Sequence, residues 1–335
     1  MWVHNEIIRN IARSCAIYGI REQQVYTEAG PIEANLQDPD GKQDWKTGVR
    51  VWEAVLKLTG YRFAGLSFGK NINFAVLGWI APLTTSSPTL KLAWKSFSDF
   101  FPLMSDMMVY HLQEQKDWQI RISYQPAAAW TDTSPVTAAM ATEHAMSLTL
   151  SMSSYLCGHM VRPVSAGFTH AVGAKNRGNY NELFGNVLFN QTENYLLFDA
   201  ATAQLPVITF NRMMYDEMQK LCVQKLSELQ AQTSYTGRVA QILNSKQTYY
   251  APKLDEAAAM LNTSARTLQR KLKEEHTTYQ QVLEAHQIEI ASQLLKQPGT
   301  RVKEVAFALG FTSLQSFSRA FKRKLGISPT QLRAQ

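Results

Sequence analysis

Cysteine is scarce in this chain. Cys15, Cys157 and Cys222 are its three thiols in 335 residues. They lie far apart with no C-x-x-C pair, so neither a disulfide framework nor a zinc ribbon is expected. The opening Met1-Trp-Val-His-Asn-Glu6 has no basic segment leading into an apolar stretch, and no apolar run is long enough to cross a bilayer. A reducing cytoplasm is therefore the expected compartment, with no membrane partner. Metal-binding patterns such as H-x-H and H-E-x-x-H are missing, as are a recognisable nucleophile–base set and a phosphate loop. No catalytic residue, metal or cofactor is assigned on this basis, and an enzyme is not expected.

Excess charge is also missing from most of the chain. Residues 1–235 carry a net −1, so the whole basic excess, +8, falls in residues 236–335. A compact basic segment on a near-neutral one points to a polyanion, because Lys and Arg gain affinity by displacing counterions condensed on phosphates. The length favours two domains.

What is present before residue 230 reads as mixed α and β. Ile7, Ile8, Ile11, Ala12, Cys15 and Tyr18 recur at helical spacing over 5–18, ending at Gly19, and a second helix is expected over Thr47–Leu58, ending at Gly60. Gly65, Gly69 and Gly78 punctuate Tyr61–Leu83, which suggests strands or a glycine-bent connection. A long helix over Leu90–Met108, a hairpin of Val109–Glu114 and Trp118–Ser123, a helix over Thr137–Leu156, strands near Ser165–His170 and Asn186–Phe189, and a helix over Thr209–Ala231 complete the reading. The periodicity never settles into βαβ units. Residues 230–234, Gln-Ala-Gln-Thr-Ser, are taken as a linker.

Beyond the linker the pattern is helical. Leu254-Asp-Glu-Ala-Ala-Ala-Met-Leu261, a turn at Asn262-Thr263, and Ser264-Ala-Arg-Thr-Leu-Gln-Arg-Lys-Leu272 form a helix-turn-helix. Small Ala258 lets the two helices cross closely, Ser264 is the N-cap, and Leu261, Leu268 and Leu272 point to the shared core. That leaves Arg266, Gln269 and Arg270 outward, with donors suited to base edges in a major groove. The same grammar returns at Val302–Gly310, Phe311-Thr312 and Ser313–Phe321, where Ala306, Gly310, Ser313, Phe317 and Arg319 stand for Ala258, Asn262, Ser264, Leu268 and Arg270. Leu314, Gln315, Ser318 and Arg319 face outward there. Tyr279–Lys296 reads as a helical strut stopped by Pro298-Gly299, able to hold two reading heads for successive major grooves about 34 Å apart. Lys322 and Arg323, in the basic end Phe321-Lys-Arg-Lys324, are expected to meet phosphates.

Leu309-Gly-Phe311, Phe317-Ser-Arg-Ala-Phe321, Gly326-Ile-Ser-Pro329 and Arg333 make residues 252–335 resemble the DNA-binding domain of the AraC/XylS family. Carried over position by position, the resemblance implies DNA contacts at Arg266, Gln269, Arg270, Gln315, Ser318 and Arg319. The chain departs from the family pattern at Asn262, where glycine is usual, and at Leu314, where a polar residue is frequent. Trp52 with Leu58-Thr-Gly60, Gly65-Leu-Ser-Phe-Gly69, Gly78, Thr89-Leu90, Phe184-Gly185 and Val187-Leu-Phe189 resemble the arabinose-binding-type N-terminal domain of ornithine-utilisation and quorum-linked regulators. That label implies neither arabinose nor a cupin barrel.

The expected architecture is an α+β N-terminal domain (1–230) that senses an effector or dimerises, followed by an all-α C-terminal domain (236–335) with two helix-turn-helix units joined by a long helix. The partners are double-stranded promoter DNA and RNA polymerase. A small-molecule effector and a homodimer are both left open, as is activation versus repression. Weighed against this are a merely solvated Arg face, a metal or catalytic site among His111, His144, His159 and His170, and an apolar pocket lined by Trp79, Trp94, Trp118, Trp130, Tyr124, Phe63, Phe68, Phe74 and Phe97, which are equally plain core residues. An effector-modifying enzyme fused to a DNA anchor, and a constitutive binder whose N-terminal part only dimerises, are the alternatives.

Overall fold

A computed structural model describes the chain except for residues 33–34, 39, 72–73, 246–251, 296–299, 312, 326 and 334–335. It divides into two units, Met1–Leu226 and Ser227–Gln335.

The first unit opens with β1 (Trp2–His4), α1 (Asn5–Ser14) and α2 (Glu22–Ala29), then β2 (Lys42–Asp44) and α3 (Trp45–Thr59). β1 and β2 pair antiparallel and each runs directly into a capped helix. His4 Nδ1 accepts the Glu6 N–H at 3.2 Å and an Asp44 carboxylate oxygen accepts the Lys46 N–H at 2.9 Å. Gly19 and Gly60 end these segments at φ 74° and 61°, where a glycine relieves the left-handed backbone. Both helices expected here are therefore present, the first finishing as a 3-10 turn, Cys15–Tyr18.

Residues 61–83 correct the expectation of strands. They form α4 (Ala64–Gly69), a 3-10 turn at Phe74–Leu77, and α5 (Ile80–Thr85). Gly65 and Gly69 are not turn signals but one face of α4, pressed onto the helix that spans 135–157. A Cβ on Gly65 would lie 2.0 Å from the Met140 carbonyl oxygen, and one on Gly69 would lie 2.5 Å from Ser147 Cβ. The helix α6 (Leu90–Phe100) is shorter than the expected Leu90–Met108, giving way to a 3-10 turn, Phe101–Leu103, that contains Pro102, a residue with no N–H to continue an α-helix.

The hairpin follows as β3 (Met108–Glu114) and β4 (Ile120–Pro126). Trp118, expected to begin the second strand, lies in the connection at φ 59°. Next come α7 (Ala128–Thr133), α8 (Pro135–Cys157), β5 (Ser165–Gly167), α9 (Arg177–Phe184), β6 (Val187–Leu188), β7 (Asn194–Phe198), α10 (Ala200–Ala203) and α11 (Arg212–Thr233). The sheet order is β3-β4-β7-β5-β6, antiparallel except between β5 and β6. Its central strand, β7, sets Leu196 opposite both Ile122 and Ala166. α8 is buried around most of its circumference and is fastened by polar pairs: Trp94 Nε1 donates to Ser153 Oγ at 2.8 Å, and Tyr124 OH to Thr149 Oγ1 at 2.8 Å.

Residues 230–234, read as a linker, are helical through Thr233, and α12 (Tyr235–Ser245) begins after the single intervening Ser234. The second unit is helical: α13 (Leu254–Met260), α14 (Ala265–Glu274), α15 (Tyr279–Leu294), α16 (Val302–Ala308), α17 (Leu314–Leu325) and α18 (Pro329–Arg333) follow. Its described residues form two apolar cores. Val239, Leu243, Ala257, Ala258, Leu268 and Leu272 form the first, joined by Val282 of α15. The second holds Val305, Ala306, Leu309, Phe317 and Phe321, joined by Ile288 and Ala291 of the same helix. Lys296 and Pro298-Gly299, read as the end and stop of that strut, lie outside the described residues.

Candidate nucleic-acid interface

The two helix-turn-helix units share one backbone device. Asn262 and Thr263 donate to the carbonyls of Ala259 and Ala258, each at 3.0 Å, and Gly310 and Phe311 donate to those of Phe307 and Ala306, each at 3.0 Å. Both turns pivot on a left-handed residue, Asn262 at φ 52° and Gly310 at φ 83°. Asparagine tolerates that region better than other residues with a side chain, so the departure from glycine leaves the geometry intact. The next helix is then capped in both units: Ser264 Oγ accepts the Thr267 N–H at 3.2 Å, and Ser313 Oγ accepts the Ser316 N–H at 3.1 Å. Ala258 and Ala306 are fully buried where the helices cross, and Leu268, Leu272, Phe317 and Phe321 fill the cores behind them.

Burying those residues fixes what faces outward. On α14, Arg266, Gln269 and Arg270 are exposed and lie three and four residues apart, on one face. On α17, Gln315 and Arg319 are exposed and Ser318 is half-buried, followed by exposed Lys322 and Arg323. Leu314 is also exposed, at the first turn of α17. Sequence reading missed Lys273, which is exposed on α14 and stands to Lys322 as Arg270 stands to Arg319. The repeat offset was the signal available for it. Gly326 and Thr312, and the side chain of Arg333, lie outside the described residues.

Carboxylates hold several of these cations. Glu274 receives Arg270 Nη1 at 2.5 Å and Lys271 Nζ at 2.9 Å; the hydrogen bond from Lys271, with both positive charges, keeps its carboxyl below the usual range. Arg323 pairs with Glu284 of α15, tying the end of α17 to the strut. Gln287, also on α15, donates to the Leu309 carbonyl at 2.6 Å and so satisfies the end of α16. Glu275 accepts the N–H groups of Tyr235 and Thr236 at 2.8 and 2.9 Å, capping α12. Burial raises the Glu275 pKa, but these bonds outweigh it and the carboxyl stays below its ordinary value.

The histidines of the first unit do not converge. His111 is exposed on β3, His159 Nδ1 lies 3.0 Å from the Cys157 carbonyl, and His144 faces internal space. His170 Nε2 instead lies 3.1 Å from Glu143, a wholly buried carboxylate that also accepts Tyr180 OH at 2.6 Å and Arg62 Nη1 at 2.9 Å. Burial, then the Glu143 charge, pushes the Tyr180 pKa far up. This network joins α8, α9 and the turn before α4. Among the described residues no group of three or more His, Cys, Asp or Glu is placed to hold a metal, and no helix is long and apolar enough to cross a membrane.

A family model described as the arabinose-binding domain of AraC transcription regulator, N-terminal, matches residues 19–207, more than half of the chain. The chain belongs to the AraC family of transcription regulators. A helix-turn-helix domain model matches residues 257–335, which contain both turns described above. The ornithine utilization regulator of Pseudomonas aeruginosa is 26% identical over 321 residues, 95% of this chain and 92% of that protein. The HTH-type transcriptional regulator YdeO of Escherichia coli is 32% identical over 99 residues, 30% of this chain and 38% of that protein. The crystal structure of transcriptional regulator CdpR from Pseudomonas aeruginosa aligns over 98% of this chain and 97% of its own, with 19% identity and a TM-score of 0.47. As an AraC-family member the chain is a DNA-binding transcription regulator, and these named relatives are regulators too.

Proposed function

We propose that the chain is an effector-responsive regulator that reads a bipartite promoter site, one block for each recognition helix. The observation carrying this is the duplicated turn, with matched hydrogen bonds at Thr263 and Phe311, each ahead of a capped helix with an exposed arginine one turn and a half along it. α14 presents Arg266, Gln269 and Arg270 to the first block, and α17 presents Gln315, Ser318 and Arg319 to the second. Leu314 offers an apolar contact of the kind a thymine methyl takes. Lys322 binds phosphate, as does Lys273, and Arg323 does so from its pairing with Glu284. One rigid helix, α15, belongs to both cores and so fixes the spacing of the two heads.

Residues 1–230 act as the sensing or dimerising part and residues 236–335 as the output, in contact with RNA polymerase at the promoter. An effector must bind two conformations or assembly states with different affinity to change that output. Substitution tests the assignment. Arg270→Ala and Arg319→Ala should each relax base preference in one block, at a cost of about 1–3 kcal/mol on the specific site. Lys322→Ala should weaken specific and random duplexes alike. Equal losses on both kinds of DNA for all three variants would overturn the base-reading role.

A further inference from the structure

The first unit holds a partly open apolar cavity in two lobes. The larger, of about 80 Å³, lies among Ile11, Trp52, Leu77, Trp130 and His144. The smaller, of about 30 Å³, lies among Thr84, Trp94, Ile122, Met152 and Leu156. Phe97, Tyr110, Ala145 and Leu148 line both, so the lobes meet at the middle of α8. Of the aromatic residues weighed from sequence, Trp94, Phe97 and Trp130 do face this space, whereas Trp79 and Trp118 are exposed.

We propose that this cavity is the effector site, and that the effector is a small uncharged molecule with a mainly apolar body and one or two hydrogen-bonding groups. The proposal rests on the effector-responsive reading above and adds its chemistry.

Three features point to that class. Among the described residues no Asp, Glu, Lys or Arg lines either lobe, so an entering carboxylate or ammonium would lose its hydration with nothing there to pair against. Polar side chains are nevertheless provided, Thr84 and His144 among them. Thr84 Oγ1 is buried with no hydrogen-bond partner among the described residues, an arrangement that costs stability unless something fills it. His144 keeps accessible surface, yet is desolvated enough to draw its pKa down to about 4, so that surface opens inward and the imidazole is neutral, with one donor and one acceptor. Ser98, Ser105, Thr149 and Ser153 also line the lobes, but each already donates its hydroxyl to a backbone carbonyl, so the several hydroxyls of a polyol would find few acceptors and donors left.

Size admits a compact ligand only if the walls move. The lobes are smaller than the cavity of roughly 150 Å³ that takes up benzene in another protein, and the walls can yield: Met107, Met108 and Met152 are unbranched and repack readily.

The test uses the full chain and benzyl alcohol, an uncharged ring bearing one hydroxyl, with L-arabinose as the polyol and L-ornithine as the charged control. Thermal unfolding should show a saturable upward shift with benzyl alcohol, about 3–6 °C at ten times Kd. Tryptophan emission should change over the same range, because Trp52, Trp94 and Trp130 form the walls. Neither control should shift the midpoint. Ala145→Leu fills the junction of the lobes and should abolish both responses, with Ala145→Val replacing it should the larger side chain prevent folding. No saturable shift with benzyl alcohol, or an unchanged shift in the filled variant, overturns the proposal. A shift with L-arabinose or L-ornithine alone overturns the ligand class while sparing the effector-responsive reading. Failure of that reading is a separate result: a ligand that shifts the midpoint but leaves DNA affinity unmoved.

Discussion

Asn262 and Gly310 occupy the same place in the two turns with different side chains, which makes them a controlled comparison. Gly310 has open space around a virtual Cβ, its nearest neighbour being Gln287 Nε2 at 3.8 Å. Gly310→Ala therefore costs only the left-handed backbone, about 1–2 kcal/mol, and Asn262→Gly should be neutral or slightly stabilising; denaturant unfolding measures both. Gly65 is the opposite case. Its virtual Cβ meets the backbone of Met140 at 2.0 Å, so Gly65→Ala should destabilise the first unit by about 3 kcal/mol or more, and near-wild-type stability would mean that α4 and α8 do not touch as described. His144 supplies a pH dependence. Its folded pKa, about 4, lies below the unfolded value of about 6.5. Between those values the unfolded chain holds the proton and the folded chain does not, so stability falls as pH drops from about 6.5 toward 4. His144→Phe should flatten that slope, leaving the part due to His4 and His286, whose pKa values are also lowered by burial. Parallel slopes would remove His144 from the account.

At the scale of elements, α15 carries the most. Its N-terminal half completes one core through Val282 and its C-terminal half the other through Ile288 and Ala291. Ile288→Ala should cost about 2–4 kcal/mol and loosen the second head first, read as lost amide protection in α16 and α17 before α13 and α14. Protection lost evenly would mean that the two cores are one cooperative unit. The same scale shows what a sequence can and cannot disclose. The paired turns were legible because every cue is local: small Ala258 and Ala306, a left-handed pivot four residues on, then a serine cap. The first unit was legible where caps and glycine stops bound a helix, as at Asp44 and Gly60. It was not at Gly65 and Gly69, since a glycine demanded by a helix crossing looks like a turn until its partner, some 75 residues away, is in place. β7 was missed for a related reason: Asn194–Phe198 is a short apolar run whose strand character comes from lying between β4 and β5. The 230–234 segment looked like a linker by composition alone, and its backbone is helical through Thr233.

For the molecule as a whole, charge and chemistry are divided between the units. The basic excess lies in residues 236–335, with exposed Arg and Lys on two duplicated helices, whereas the cavity of the first unit has no charged lining among the described residues. Affinity for any duplex should therefore fall steeply with salt through phosphate contacts, while discrimination between sequences survives because it depends on base edges. The most direct measurement is selection of bound sequences from random duplex DNA by the full chain in moderate salt, with and without a ligand that shifts its melting midpoint. The account predicts enrichment of a motif in two blocks about one helical turn apart, with Arg270→Ala blurring one block and Arg319→Ala the other. Enrichment of one block only, or salt-sensitive binding with no motif in either condition, would contradict it.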